Sequence, residues 1–186
     1  HSHKDLETTN PEGLIIGAVS YRENPTDLLL IHHRAYDASQ PFMLKAGAVI
    51  GTSAARRKSQ LLRLRPDCIL QDLRGNVPTR VQKLRDGNYD AIVLAAAGIA
   101  RLNLDLNGIH TLQFEVADFI PAPAQGVLGL QIRAEDKALA DALQAIHHPD
   151  VAEAIQLERD VMRLMQGGCQ LPLGAFCTKT NGQFMC

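Results

Sequence analysis

Val49-Ile50-Gly51-Thr52-Ser53, running on through Ala54-Ala55-Arg56-Arg57 to Leu64, decides the fold. A short branched pair, one glycine, two hydroxylated residues and then good helix formers predict a strand, a tight turn and a helix over Ala54 to Leu64. Thr52 or Ser53 is the expected cap, and Pro66 the stop. The pattern repeats downstream. Cys68 to Leu73 predicts a second strand, Thr79 to Asp86 a helix closed by Gly87, and Ala91 to Ala95 a third strand. Strands and helices alternating over short connections specify an α/β layer structure with a mainly parallel sheet and right-handed crossovers.

Outward from this stretch the chain reads less regularly. Leu14 to Val19 predicts a buried strand followed by a loop. Beyond the Pro- and Ala-rich segment Phe119 to Ala124, a strand is expected at Leu128 to Ile132 and a helix at Asp136 to Ile146. His147-His148-Pro149 breaks the chain. Asp150 is then expected to cap a helix reaching Met165, with Ala154, Ile155, Val161, Met162 and Met165 on its buried face. Gly167-Gly168 should end that helix and Leu171 to Phe176 start a new strand. No internal repeat or low-complexity tract interrupts the chain.

The 186 residues, 46% of them hydrophobic, suffice for one large domain or two small ones. Nineteen Lys plus Arg against twenty Asp plus Glu give a formal charge of -1, so no overall attraction to nucleic acid or anionic lipid is expected. The longest apolar run, Ala91 to Ala100, is far shorter than the roughly 18 to 20 residues that span a bilayer. Four cysteines, Cys68, Cys169, Cys177 and Cys186, show no CxxC or Cys/His metal spacing and are read as cytosolic thiols. His147 and His148 are read as solvated residues at a helix end. The opening His1-Ser2-His3-Lys4-Asp5 and the closing Phe184-Met185-Cys186 both read as cut ends.

Charge is distributed unevenly. Between Arg56 and Arg101 lie ten of the nineteen basic residues and only four acids, a local balance of +6. Arg56 and Arg57 fall in the first turn of a helix, where the dipole and free N–H groups disfavour cations, so an anionic ligand is expected to complete the site. Arg74, after a strand, Arg80, at the next helix start, and Arg101, after the third strand, fit the same carboxyl edge of an open sheet. Arg63, Arg65 and Arg85 are read as solvated. Arginine grips carboxylate or phosphate with two parallel hydrogen bonds, and one glycine before the helix is too few for a phosphate loop. A polycarboxylate is therefore at least as good a ligand as a nucleotide. Cys169, after two glycines, has an accessible thiol, though a small buried hydrophobe fits the spacing as well. Asp5 beside Lys4 fits either a solvated acid or a carboxylate that stabilises a developing cation.

Four stretches resemble the porphobilinogen deaminase family: His1 to Asp5; Gly51-Thr52-Ser53 through Arg56-Arg57; Leu73-Arg74-Gly75-Asn76 through Thr79-Arg80; and Glu158-Arg159 through Gly167-Gly168-Cys169. Ala95 to Gly98, Arg101 and Gln125-Gly126 also fit. The resemblance implies periplasmic-binding-protein-like α/β domains with a mixed, mainly parallel sheet, plus a small α+β C-terminal domain, with the active site between the first two. By that mapping residues 1–19 are the tail of domain 1, 20–111 domain 2, 112–135 a return to domain 1 and 136–186 the start of domain 3. The N-terminal part of domain 1 and the end of domain 3 are then missing.

The resemblance also implies a chemistry. Cys169 would hold a dipyrromethane cofactor through a thioether, and Asp5 would be the catalytic carboxylate. Lys4, Ser53, Arg56, Arg57, Arg74, Arg80, Arg101, Gln125 and Gly126 would bind cofactor and substrate. The substrate implied is porphobilinogen, four molecules of which condense with loss of ammonia before water releases linear hydroxymethylbilane. A cytoplasmic, usually monomeric enzyme of tetrapyrrole biosynthesis is expected, without nucleic-acid or membrane partners. The rival is a non-catalytic polycarboxylate-binding α/β module. Departures from the family pattern are His3 where a hydrophobic residue is common, Leu6-Glu7 where Val-Pro follows the aspartate, and Pro123-Ala124 where a glycine is usual.

Overall fold

A computed structural model describes residues 1–165, 171–180 and 182–186. The chain divides into two compact units, one formed by His1–Pro25 with Ile120–Cys186 and the other by Thr26–Phe119.

The contiguous unit is a five-stranded sheet flanked by helices. Its strands are β2 (Asp27–His32), β3 (Val49–Gly51), β4 (Ile69–Gln71), β5 (Ala91–Ala95) and β6 (Ile109–Gln113), in the order β4-β3-β5-β2-β6. β3 pairs in parallel with β4 and β5, whereas β2 runs antiparallel to β5 and β6. Only β2 opposes the common direction, so the sheet is mixed and mainly parallel, as expected. The reason lies in the connections. β3 is joined to its parallel neighbour β4 through α1 (Ala55–Leu64), and β4 to β5, on the other side of β3, through α2 (Val77–Arg85), the crossover helices foreseen in the sequence.

β2, β6 and α3 (Ala96–Leu102) were not foreseen. β2 is deeply packed, with Leu29, Leu30 and Ile31 at zero exposure, because opposite faces of the sheet feed two separate cores. Leu29 and Ile31 join Leu44, Ile50, Leu61, Val93 and Phe119 on one face; Leu28 and Leu30 join Leu73, Val81, Leu84 and Ile92 on the other.

Local signals in this unit were partly misread. α1 begins after Ala54, which provides no side-chain cap; Ser53 Oγ instead accepts from Leu73 N and donates to Leu73 O, binding the loop to the end of β4. Asn76 caps α2, its side chain accepting from Thr79 N. Arg65, expected in solvent, is 4% exposed, clamping the carbonyls of Pro41, Leu44 and Lys45 and pairing with Asp67.

The discontinuous unit is built on an antiparallel pair, β1 (Leu14–Val19) with β7 (Gly129–Arg133). Around it lie α4 (Lys137–Leu143), which continues as a 3-10 turn over Gln144–Ile146, and α5 (Pro149–Leu164). Asp136 caps α4 by accepting from Leu139 N. Asp150 does not cap α5: it sits in the first turn, where it pairs with Lys179. The buried face of α5 comprises Ala154, Ile155, Glu158, Arg159 and Met162, whereas Val161 and Met165 are exposed. Two charged residues displace two expected apolar ones because their partners lie in neighbouring segments.

Leu171 to Phe176 forms no strand; a hairpin follows instead, β8 (Thr178–Thr180) with β9 (Gln183–Met185). Cys177 and Cys186 are disulfide-bonded across its open end, which corrects the reading of both as thiols. Cys68 is a buried free thiol, as expected, and burial raises its pKa. Gly167-Gly168 and Cys169 lie outside the described residues.

Candidate functional site

The anion expected at the start of α1 is, in part, the protein's own. Arg56 Nη2 and Arg57 Nη2 each donate at 2.7 Å to a different oxygen of Asp27, the first residue of β2, and Arg57 Nη1 donates to Val93 O at 3.0 Å. All three side chains are buried, the arginines at 5% and 6% exposure. Burial alone would raise the Asp27 pKa, but the Arg57 and Arg56 guanidiniums outweigh it and hold the carboxyl at about 2. Burial lowers the Arg56 pKa against the opposing pull of Asp27. Phe119 lies under the Arg56 guanidinium, 5.6 Å from ring centre to charge.

Two guanidiniums share one carboxylate, so this trio retains net positive charge. Arg57 Nε and, at the start of the preceding loop, Thr52 Oγ1 are buried without hydrogen-bond partners. Such groups are costly to leave unmet, and an incoming acceptor would satisfy them.

The other arginines differ in exposure. Arg74 is exposed; Arg80 is half-buried, with Nε donating to Gly75 O at 2.6 Å; Arg101 is exposed in the last turn of α3. Gly75, at φ +118, forms the turn between Arg74 and α2, the helix that carries Arg80. Ser53 is exposed, with its hydroxyl engaged by Leu73.

In the discontinuous unit, Lys4 and Asp5 lie on a 3-10 turn over His3–Asp5, with Asp5 exposed. Lys4 Nζ donates to Gln125 Oε1 at 3.1 Å, and Gln125, at zero exposure, donates Nε2 to Pro25 O. Gly126 has φ +90, and a Cβ there would run into Glu23 O. Ala124 also adopts a left-handed conformation, φ +60. Lys4, Gln125 and Gly126 are thus brought together.

Glu158 and Arg159 hold this region and were missed as anchors, although they were quoted for the resemblance. Glu158 is fully buried and receives Arg22 Nη1 at 2.6 Å, Arg22 Nη2 at 3.2 Å, Ala124 N at 2.7 Å and Cys177 N at 2.7 Å. Arg159 Nη1 donates to His3 O and Leu6 O, each at 3.3 Å, and Nη2 donates to Glu7 O. His3, buried beside Arg159, has its pKa lowered to about 4, first by burial and then by that charge. The sequence signal was available: Glu158 and Arg159 interrupt the apolar spacing of Ala154, Ile155 and Met162, and charged residues are almost never buried unless paired.

Fold and side chains together define an α/β protein with a buried arginine pair beside a sheet edge and a separately held Lys-Asp turn. Residues 1–141 match the family described as "Porphobilinogen deaminase, dipyromethane cofactor binding domain". The chain belongs to the porphobilinogen deaminase family. It is 44% identical over 178 residues to porphobilinogen deaminase of Moorella thermoacetica, covering 96% of this chain and 55% of the relative. It is 44% identical over 185 residues to that of Desulforudis audaxviator, covering 100% and 58%. The chain therefore spans little more than half the length of these relatives. Among solved structures, a periplasmic binding protein from Brucella ovis with glutathione bound is similar over 71% of this chain and 40% of its own, with 17% identity and TM-score 0.47.

Proposed function

We propose that the complete protein is a hydroxymethylbilane synthase of tetrapyrrole biosynthesis, joining four porphobilinogen molecules with loss of ammonia and releasing the linear product by hydrolysis. The observation that carries this reading is the Arg56–Arg57 pair, buried on Asp27 with Arg57 Nε and Thr52 Oγ1 still lacking acceptors. A growing chain of pyrroles bearing acetate and propionate groups presents many carboxylates, the acceptors such a pair fits. A dipyrromethane on Cys169 would supply a nucleophilic pyrrole carbon.

The chain's own residues have separable tasks in this proposal. Arg56, Arg57, Arg74, Arg80 and Arg101, with Ser53, bind the carboxylates of cofactor and substrate. Asp5, exposed on its turn, stabilises the cation left when porphobilinogen loses ammonia and accepts hydrogen bonds from pyrrole N–H groups. Lys4, held by Gln125 at 3.1 Å beside Gly126, keeps a cation next to that carboxylate. In this reading residues 20–111 are the second domain of the enzyme, 112–135 return to the first, 136–186 begin the third, and the protein acts as a cytoplasmic monomer. No helix among the described residues is long and apolar enough to cross a membrane.

Intact mass spectrometry of the complete protein tests the reading. Wild type should be heavier than its translated sequence by one dipyrromethane, and Cys169→Ser should lose that mass and the activity. An active wild type without the adduct, or an adduct mapped to Cys177, overturns it.

A further inference from the structure

We infer that Arg159 is a positioning residue, fixing the backbone of the Lys4-Asp5 turn against α5 so that the Asp5 carboxylate is held in place for the reaction. The inference rests on the function proposed above for its catalytic part, and on side-chain geometry for the rest.

A single guanidinium, 8% exposed, gathers the carbonyls of His3, Leu6 and Glu7, which bracket Asp5 on both sides. The 3-10 turn supplies only Asp5 N to Ser2 O and Leu6 N to His3 O, two bonds closing a single turn. A turn so short is poorly fixed by its own ladder. Arg159 adds three external bonds from a rigid sixteen-residue helix, and its planar fork sets direction as well as distance. His3 completes the arrangement. Arginine cannot accept, so His3 Nδ1, 3.4 Å from Arg159 Nη1, faces it as a lone pair on a neutral ring.

Consecutive positions on α5 divide the work. Glu158 is saturated by Arg22, Ala124 N and Cys177 N, so it tethers other segments; Arg159, about 100° further round the helix, faces residues 3–7. Cys169 follows soon after the last residue of α5, Leu164. The helix that leads to the proposed cofactor cysteine therefore also grips the turn bearing the proposed catalytic acid. Misplacement of a reacting group by about 1 Å is enough to cost on the order of 100-fold in rate.

The test uses the complete holoenzyme with Arg159→Gln and Arg159→Lys, alone and combined with Asp5→Asn. Hydrogen exchange of residues 1–8 should speed up at least about tenfold in Arg159→Gln and less in Arg159→Lys, which retains a donor. Should Arg159→Gln fail to fold, Arg159→Lys carries the same comparison against wild type. Single-step porphobilinogen addition should fall at least about tenfold in kcat with KM within about twofold, the Cys169 adduct being retained. The double variant Asp5→Asn with Arg159→Gln should be no slower than Asp5→Asn alone, because residues acting through one another are non-additive. Unchanged exchange across 1–8, or losses that multiply in the double variant, overturn the inference. If Asp5→Asn alone keeps wild-type turnover, the catalytic reading of Asp5 fails, and the exchange result by itself decides the role of Arg159.

Discussion

Asp27 Oδ1 accepts a hydrogen bond from Arg57 Nη2 at 2.7 Å, and neither side chain reaches solvent to any useful extent. Removing the carboxylate charge leaves two guanidiniums buried together. Asp27→Asn should therefore destabilise the protein by about 3–5 kcal/mol, measured by denaturant titration at neutral pH. The pair also sets an acid limit. With its pKa held at about 2 rather than the usual 3.8, Asp27 contributes stability that is complete above 3.8 and is lost as pH falls through 2. That contribution is about 2 kcal/mol, and wild type should lose it over this window while Asp27→Asn does not.

His3 acts in the same direction over a higher pH range. Burial and Arg159 lower its pKa from 6.5 to about 4, so between those values the unfolded chain binds a proton that the folded chain refuses. Stability should decline as pH falls from 6.5 to 4, by up to about 3 kcal/mol. His3→Leu, which removes the titrating ring from this buried position, should flatten this part of the stability profile. An identical pH slope in wild type and variant would falsify the assignment.

Ala124 and Gly126, two residues apart, should respond oppositely to exchange. Ala124 sits at φ +60, a conformation costing a residue with a Cβ about 1–2 kcal/mol, so Ala124→Gly should raise stability by a few tenths to about 1 kcal/mol after the entropy of glycine is offset. Gly126→Ala puts a Cβ into Glu23 O at φ +90 and should cost more than about 2 kcal/mol. Thermal melts of the two variants provide the comparison.

Asp5 distinguishes catalysis from binding. In the complete enzyme Asp5→Asn should keep the fold and the Cys169 adduct while slowing porphobilinogen addition by about two to three orders of magnitude, the worth of a preorganised charge. Asp5→Glu, which keeps the charge displaced by one methylene, should lose less. Equal losses in the two variants would make Asp5 a structural carboxylate.

How much of this was legible depended on punctuation. β3, α1, β4 and α2 are each bounded by Gly or Pro and were foreseen in position, as was β5, which runs unbroken into α3: Ala91 to Ala100 contains no breaker before Gly98, so the helix was absorbed into the apolar run. β2 carries Leu28-Leu29-Leu30-Ile31 without alternation because both of its faces are covered, and that leaves no period to detect. β6 lies at the sheet edge with a mixed burial pattern.

The candidate site divides in the same way. Arg56 and Arg57 stand out because cations are anomalous at a helix start. Their counter-ion does not, because Asp27 reaches them across the sheet from a strand 29 residues away in sequence. Arg65 was misjudged for a related reason: besides Asp67, what buries it is a set of backbone carbonyls, which leave no trace in side-chain identity.

The division of the chain into Thr26–Phe119 and a unit assembled from His1–Pro25 with Ile120–Cys186 has a consequence for synthesis. On the ribosome the contiguous unit has all of its strands and can fold as soon as residue 119 has cleared the exit tunnel. β1 must wait for β7, and Arg22 for Glu158, across the whole intervening length. Contacts so distant in sequence form late and slowly, since the closure entropy comes before any contact rewards it. Lys4 and Asp5 therefore leave the ribosome well before α5 and acquire their geometry only when that helix arrives.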